Sequence, residues 1–292
     1  MSAGFRHLPV PALINSAEWT LRPVITRRDH ELREQALRAA RIRSRGQPRC
    51  RAGLWYLVEH KVARTLIGVL QHAPASGRGR AATGRFYPMP DMPYPDPLIR
   101  EAALLLKARA GDAHAKAQQA QSRRRIAYWS EQFSIPSDYA TRHQLQPIPE
   151  PLHLHYAGRD CVGRSIWLEF NTRISWLAMQ RAALEQGIQL DVVSAFRSIE
   201  YQADIWTRKR ARGQSTADIL SVNVPPGYSE HHSGRAIDIS TPGIGPAEPA
   251  FADTPAFRWL QQHAHHFGFH LSFPEHNPHG VMYEPWHWCF RR

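Results

Sequence analysis

Cysteine is scarce in this chain. Its 292 residues include only Cys50, Cys161 and Cys289, too few and too scattered for a disulfide framework and not spaced as a paired-cysteine zinc signature. Long apolar runs are also missing. No stretch approaches the ~20 residues that span a bilayer, and residues 1–15, with Arg6, His7 and two prolines, lack the apolar core of a signal peptide. Negative charge is in short supply: 37 Lys+Arg stand against 25 Asp+Glu, a formal charge of +12. These deficits argue against a disulfide-stapled mini-domain and a bilayer-spanning protein. They leave a soluble chain that attracts anionic partners, whether wall polymer, lipid headgroup or nucleic acid.

At 42% hydrophobic content the chain can bury a sizeable core, and its length suits one large or two modest domains. Punctuation favours two. Residues 1–133 read as a mainly helical, basic region. RRDHELREQALRAARIR, from Arg27 to Arg43, is rich in helix formers with a thin stripe of Leu32, Ala36, Ala39 and Ala40. Ten arginines fall between Arg22 and Arg51, a solvated face or a contact for an anionic polymer or membrane surface. Leu54 to Leu70 is expected to be a helix, with two short strands as the alternative, and Gly and Pro make residues 72–97 a connector. Residues 134–151 carry Pro136, Pro147, Pro149 and Pro151, which fix backbone angles and remove donors, so a linker is expected there. A second domain then runs over 152–292.

Within it, residues 165–186 have helical spacing and Ile188 to Ala195 reads as a strand delivering Arg197. Ser198 caps a helix that ends near Gly213, residues 215–227 form a loop, and Asp253 or Thr254 starts a further helix. Strands at Asp238, Phe269 to Phe273 and Trp286 to Phe290, joined by connections too short for crossovers, predict an α+β fold: a small antiparallel sheet flanked by helices.

The densest chemistry lies in residues 228–238, YSEHHSGRAID. His231 and Asp238 can meet at one ion only if the chain reverses between them, and Gly234 permits that because it lacks a Cβ. Two groups do not hold a catalytic zinc; three protein ligands and an open position are usual. Glu284-Pro285-Trp286-His287 offers a third ligand, His287, beside a carboxylate that could move a proton. Strand side chains alternate, so Glu284 is expected in a bend that lets both face the metal. His270, His276 and His279 are alternatives to His287.

Ser229-x-His231-x-x-Gly234-x-Ala236-x-Asp238, followed by Glu284-x-Trp286-His287 and preceded by Ser194-Ala195-Phe196-Arg197-Ser198 with Gln202, resembles the VanY-type zinc D-alanyl-D-alanine carboxypeptidases over roughly residues 150–292. Phe196 stands where that family often has an aromatic hydroxyl. The resemblance implies a Hedgehog/DD-peptidase-like fold and one catalytic zinc on His231, Asp238 and His287. It also implies Glu284 as general base and acid, and Arg197 at the reacting carbonyl or the substrate's carboxylate. Ser229, Tyr228, Gln202 and Trp286 are then candidate contacts for the substrate, the peptidoglycan stem peptide cut at its terminal D-alanine. A related L,D-carboxypeptidase, dipeptidase or endopeptidase is the near alternative, and a basic nucleic-acid-binding protein with structural zinc the distant one. The compartment, cell envelope or cytoplasmic processing of wall fragments, stays open.

Overall fold

In the computed structural model the described residues are 19–44, 54–61, 63, 65–73, 83–90, 112–151 and 154–291. The chain divides into two compact units, Met1–Ala117 and Gln118–Arg292.

The first unit holds β1 (Trp19–Pro23), α1 (Arg27–Ser44), β2 (Leu54–His60), β3 (Leu66–Ala73) and β4 (Thr83–Pro88), the strands forming one antiparallel sheet in the order β1-β2-β3-β4. Ala36 and Leu37 of α1 pack with Leu57, Val69 and Tyr87. Asp29 Oδ2 accepts from Thr26 N at 2.9 Å, closing the helix start, and Arg22 pairs with both Asp29 and Glu59. The helix expected over Leu54 to Leu70 is corrected here: the stretch forms two strands, the stated alternative. Leu57 and Val58 are both buried, as are Val69 and Leu70. A strand covered on both sides shows no polar alternation, and without it a short apolar run cannot be told from a buried helix. Thr83–Pro88 lies inside the expected connector yet forms a strand, and the connector's first two residues end β3; residues 74–82 and 91–97 of that connector, the Arg-rich stretch after Ser44 and the leader at 1–15 fall outside the described residues.

The second unit begins within α2 (Asp112–Gln132) and continues through α3 (Tyr139–Arg142). Residues 134–151, expected as a linker, are packed against it. Phe133 joins Trp206, Ala203 and Ile219 in one apolar cluster with Trp129 and Ile135 at its edge, and Ile148 N donates to Gly227 O at 2.7 Å. The prolines shape this segment without freeing it.

β5 (His155–Arg159) and β6 (Ser165–Leu168) form a two-stranded sheet, and α4 (Phe170–Glu185) follows. The expected helix over 165–186 therefore starts later, because Glu169 accepts from the amides of Asn171 and Thr172 and caps it there. β7 (Asp191–Ser194) leads to α5 (Ile199–Ala211), whose cap is Ser198. In the expected loop, Ser215 and Asp218 form a reciprocal capping box that starts α6 (Thr216–Leu220). A 3-10 turn at Glu230–Ser233 precedes β8 (Ala236–Ser240), and Thr254 caps α7 (Pro255–His263). The sheet closes with β9 (Phe269–Leu271) and β10 (His287–Phe290), in the antiparallel order β7-β8-β10-β9. Its core gathers Leu168, Trp176, Met179, Ile237, Ile239, Leu260 and Phe269. Among the described residues no helix is long and apolar enough to cross a membrane.

Candidate metal centre

Pairing of β8 with β10 sets His287 opposite Asp238, and pairing of β7 with β8 sets Ser194 opposite the same Asp238. His231 reaches that point from the 3-10 turn, which Gly234 ends at φ 68°. A Cβ at Gly234 would lie 2.7 Å from Leu154 Cδ2 and 3.1 Å from Glu169 N, so glycine is required by space as well as by backbone angle.

One donor atom each from His231, Asp238 and His287 lies within 4.8 Å of the other two, and all three residues are buried. His231 Nε2 is 3.2 Å from Asp238 Oδ2, and His287 Nδ1 is 3.0 Å from Asp238 Oδ1. The outer nitrogens are already engaged: His231 Nδ1 donates to Ala195 O at 2.7 Å, and His287 Nε2 donates to Glu230 Oε2 at 3.0 Å. Carbonyl and carboxylate can only accept, so each outer nitrogen carries a proton, and a metal at the shared point would take the inner nitrogen of each ring in its unprotonated form. Two imidazole nitrogens and a carboxylate are a donor set that suits zinc and leaves a coordination position open. Among the described residues this is the one such group. His279, an alternative third ligand, gives its Nδ1 to His143 O at 3.0 Å; His270 and His276 are exposed and outside the group.

Charge in the centre follows burial and pairing. Burial alone would push the Asp238 carboxyl up, but His231 and His287 outweigh it and hold it well below the usual range. Burial disfavours a charged His287, yet hydrogen bonds to Asp238 and Glu230 raise its ring to about 10. Burial pushes Glu284 up to about 7, the neighbouring His287 pulling it down and Asp238 pushing it further up.

Glu284 sits in a turn before β10, with His287 N donating to Glu284 O at 3.1 Å. Its Oε2 is 3.8 Å from His287 Nδ1, beside the donor set but outside hydrogen-bond reach. Arg197 follows β7, its NH1 donating to Gln202 Oε1 at 2.8 Å and its NH2 to Ser194 Oγ at 3.3 Å, with NH2 3.7 Å from Asp238 Oδ2. Gln202 is buried and spends its amide on Val224 O, so it braces Arg197 and does not face a ligand. Trp286, expected to touch substrate, is 7% exposed and belongs to the apolar core; it lies beneath the site because the Pro285-Trp286 turn tucks the indole inward. Ser229 is buried, while Tyr228 remains half-buried with its ring 5.8 Å from that of Tyr139. Cys289 is buried and outside the donor group.

Sequence reasoning passed over Glu230. It lies between two motif positions, where spacing carries no rule, although a carboxylate directly before a ligand histidine was the available signal.

Residues 165–292 match the family model described as VanY, D-alanyl-D-alanine carboxypeptidase. YodJ of Bacillus subtilis (strain 168) is 34% identical over 172 residues, 56% of this chain and 58% of that protein. A D-alanyl-D-alanine carboxypeptidase of Enterococcus faecalis (strain ATCC 700802 / V583) is 32% identical over 119 residues, 37% of this chain and 42% of the relative. The chain thus spans less than two thirds of either protein. Among solved structures, the LdcB LD-carboxypeptidase is 27% identical with a TM-score of 0.45, covering 48% of this chain and 69% of that one. VanYB in complex with D-alanine-D-alanine is 26% identical with a TM-score of 0.41, covering 50% and 81%. Residues 165–292, which carry the ordered motifs from Ser194 to His287, are thus similar to the VanY D-alanyl-D-alanine carboxypeptidase family.

Proposed function

We propose that this protein is a zinc-dependent D,D-carboxypeptidase that removes the terminal D-alanine from peptidoglycan stem peptides. The observation that carries this reading is the convergence of His231, Asp238 and His287 with Glu284 and Arg197 beside them. A bound zinc supplies Lewis acidity, lowering the pKa of a water from 15.7 toward about 7. His231, Asp238 and His287 hold it. Glu284, buried enough to sit near neutrality, takes a proton from the attacking water and passes it to the departing amine. Arg197, its plane fixed by Gln202 and Ser194, donates to the carbonyl oxygen as charge gathers there. Tyr228, half-buried on the segment leading into the 3-10 turn, is the substrate contact that fits best of those the sequence suggested.

The test is mass spectrometry of synthetic stem peptides incubated with the zinc-loaded protein. Loss of one D-alanine from a peptide ending in D-alanyl-D-alanine is expected. Release of a dipeptide, or cleavage only of tetrapeptides at an L,D bond, would move the protein to a sister specificity, and inertness toward all of them would end the reading. Glu284→Gln should keep zinc and lose at least about 100-fold in turnover, the low end for a general base.

A further inference from the structure

We propose that Glu230 is a positioning residue of the metal centre, selecting the tautomer of His287 and fixing its ring, and that Arg291 and Ser272 lock Glu230 in place. The inference rests on the reading of His231, Asp238 and His287 as the metal ligands. Glu230 Oε2 accepts from His287 Nε2 at 3.0 Å. Its other oxygen, Oε1, accepts from Arg291 NH2 at 3.0 Å, and the same NH2 contacts Ser272 Oγ at 3.1 Å. The carboxylate is therefore held from both ends.

To hold a metal the His287 ring must be neutral, with one proton on one of its two nitrogens. His287 Nδ1 lies 3.0 Å from Asp238 Oδ1, so with nothing on the far side the proton would settle there and block the lone pair the metal needs. Glu230 offers the competing acceptor. It draws the proton to Nε2 and frees Nδ1, while its negative charge makes the ring a better donor. The two histidines are thus set by different means: Ala195 O, a backbone carbonyl that cannot be mutated away, fixes His231, whereas a side chain fixes His287. Glu284 does not do this work, because its approach is to Nδ1, at 3.8 Å, and not to Nε2.

The experiment is zinc competition against a chromophoric chelator, using the metal-stripped full-length chain, for wild type, Glu230→Gln, Glu230→Ala, Arg291→Ala and His287→Ala. Loss of a carboxylate partner to a ligand histidine typically costs 10–100-fold in metal affinity. Glu230→Ala is expected in that range. Glu230→Gln, which keeps an acceptor oxygen without the charge, should recover part of the loss, and Arg291→Ala should lose less than Glu230→Ala. A Glu230→Ala protein that is folded by circular dichroism and binds zinc within about threefold of wild type overturns the assignment. Equal weakening in Gln and Ala variants overturns the tautomer argument, and undiminished zinc binding by His287→Ala removes its footing. Because affinity is read without substrate, an inert enzyme would count against the proposed reaction and leave this result standing.

Discussion

Two glutamates flank His287, and their surroundings divide the labour between them. Burial would raise Glu230, but His287, with Ser272 and Arg291 adding to it, outweighs burial and holds the carboxyl down at about 2. Glu284 lacks such an anchor and burial lifts it to about 7. A carboxylate that stays ionised orients; one poised near neutrality can shuttle a proton. Gly234 offers a different residue-scale test. Gly234→Ala would place a Cβ 2.7 Å from Leu154 Cδ2 at a φ of 68°, so we expect roughly 1–3 kcal/mol of destabilisation together with weaker zinc binding, since His231 lies in the turn it ends. Chemical denaturation and chelator competition measure the two effects; an Ala variant matching wild type in both would show that the turn tolerates a side chain. The convergence of His231, Asp238 and His287 was legible in the sequence because a metal demands particular residue types at spacings the chain can close. The burial of Trp286 and Gln202 was not legible, since whether a tryptophan walls a cleft or lies beneath it depends on how a turn points it.

At the scale of elements, local chemistry was readable where a side chain closes its own helix. Ser198 accepts from Tyr201 N at 3.1 Å and Thr254 from Phe257 N at 3.1 Å, as their positions before apolar runs suggested. Glu284 in a bend was also readable, because Pro285 cannot donate to a strand ladder and strand alternation would otherwise point Glu284 and His287 apart. Strands β2 and β3 were not readable, and for a definite reason: tertiary contacts on both faces erase the alternation that identifies a strand. The caps give an element-scale prediction. Thr254→Ala removes the acceptor for the Phe257 amide and should cost about 1 kcal/mol in urea unfolding. Zinc affinity should not change, as α7 contributes none of the three converging residues; a loss of metal binding would mean that the helix start helps to place the centre.

For the molecule as a whole, the second unit reaches back to Gln118, and charges are buried at its edge. Arg125 NH2 lies 2.8 Å from Glu150 Oε2 and its Nε 2.8 Å from Glu200 Oε1, while Ile199 N donates to Glu150 Oε1 at 2.8 Å. One guanidinium faces two carboxylates, so burial, with Glu150 adding to it against the pull of Arg125, raises Glu200 to about 7 from 4.5. Between those values the folded state binds a proton that the unfolded chain releases. Stability therefore falls as pH rises from about 4.5 to about 7 and levels off above. Glu200→Gln should flatten that decline in melting temperature. The difference between variant and parent is the quantity to read, because His232, held down at about 3 by burial, contributes a slope of the opposite sign. An unchanged slope would mean that Glu200 is ionised throughout.

The same triad decides where the chain can be cut. A protein starting at residue 112 keeps Arg125, Glu150 and the Phe133 cluster and should fold and bind zinc as the full chain does. One starting at residue 152, the boundary that the prolines suggest, removes Arg125 and Glu150 from beside Glu200, exposes Trp206 and removes the backbone bond from Ile148 to Gly227 O. Loss of a core phenylalanine alone typically costs about 3–5 kcal/mol, a large share of the 5–15 kcal/mol that holds a domain together. Expression of the shorter protein should therefore give aggregated or unfolded material by circular dichroism. A soluble, zinc-binding fragment would show that residues 112–151 decorate the C-terminal fold without supporting it.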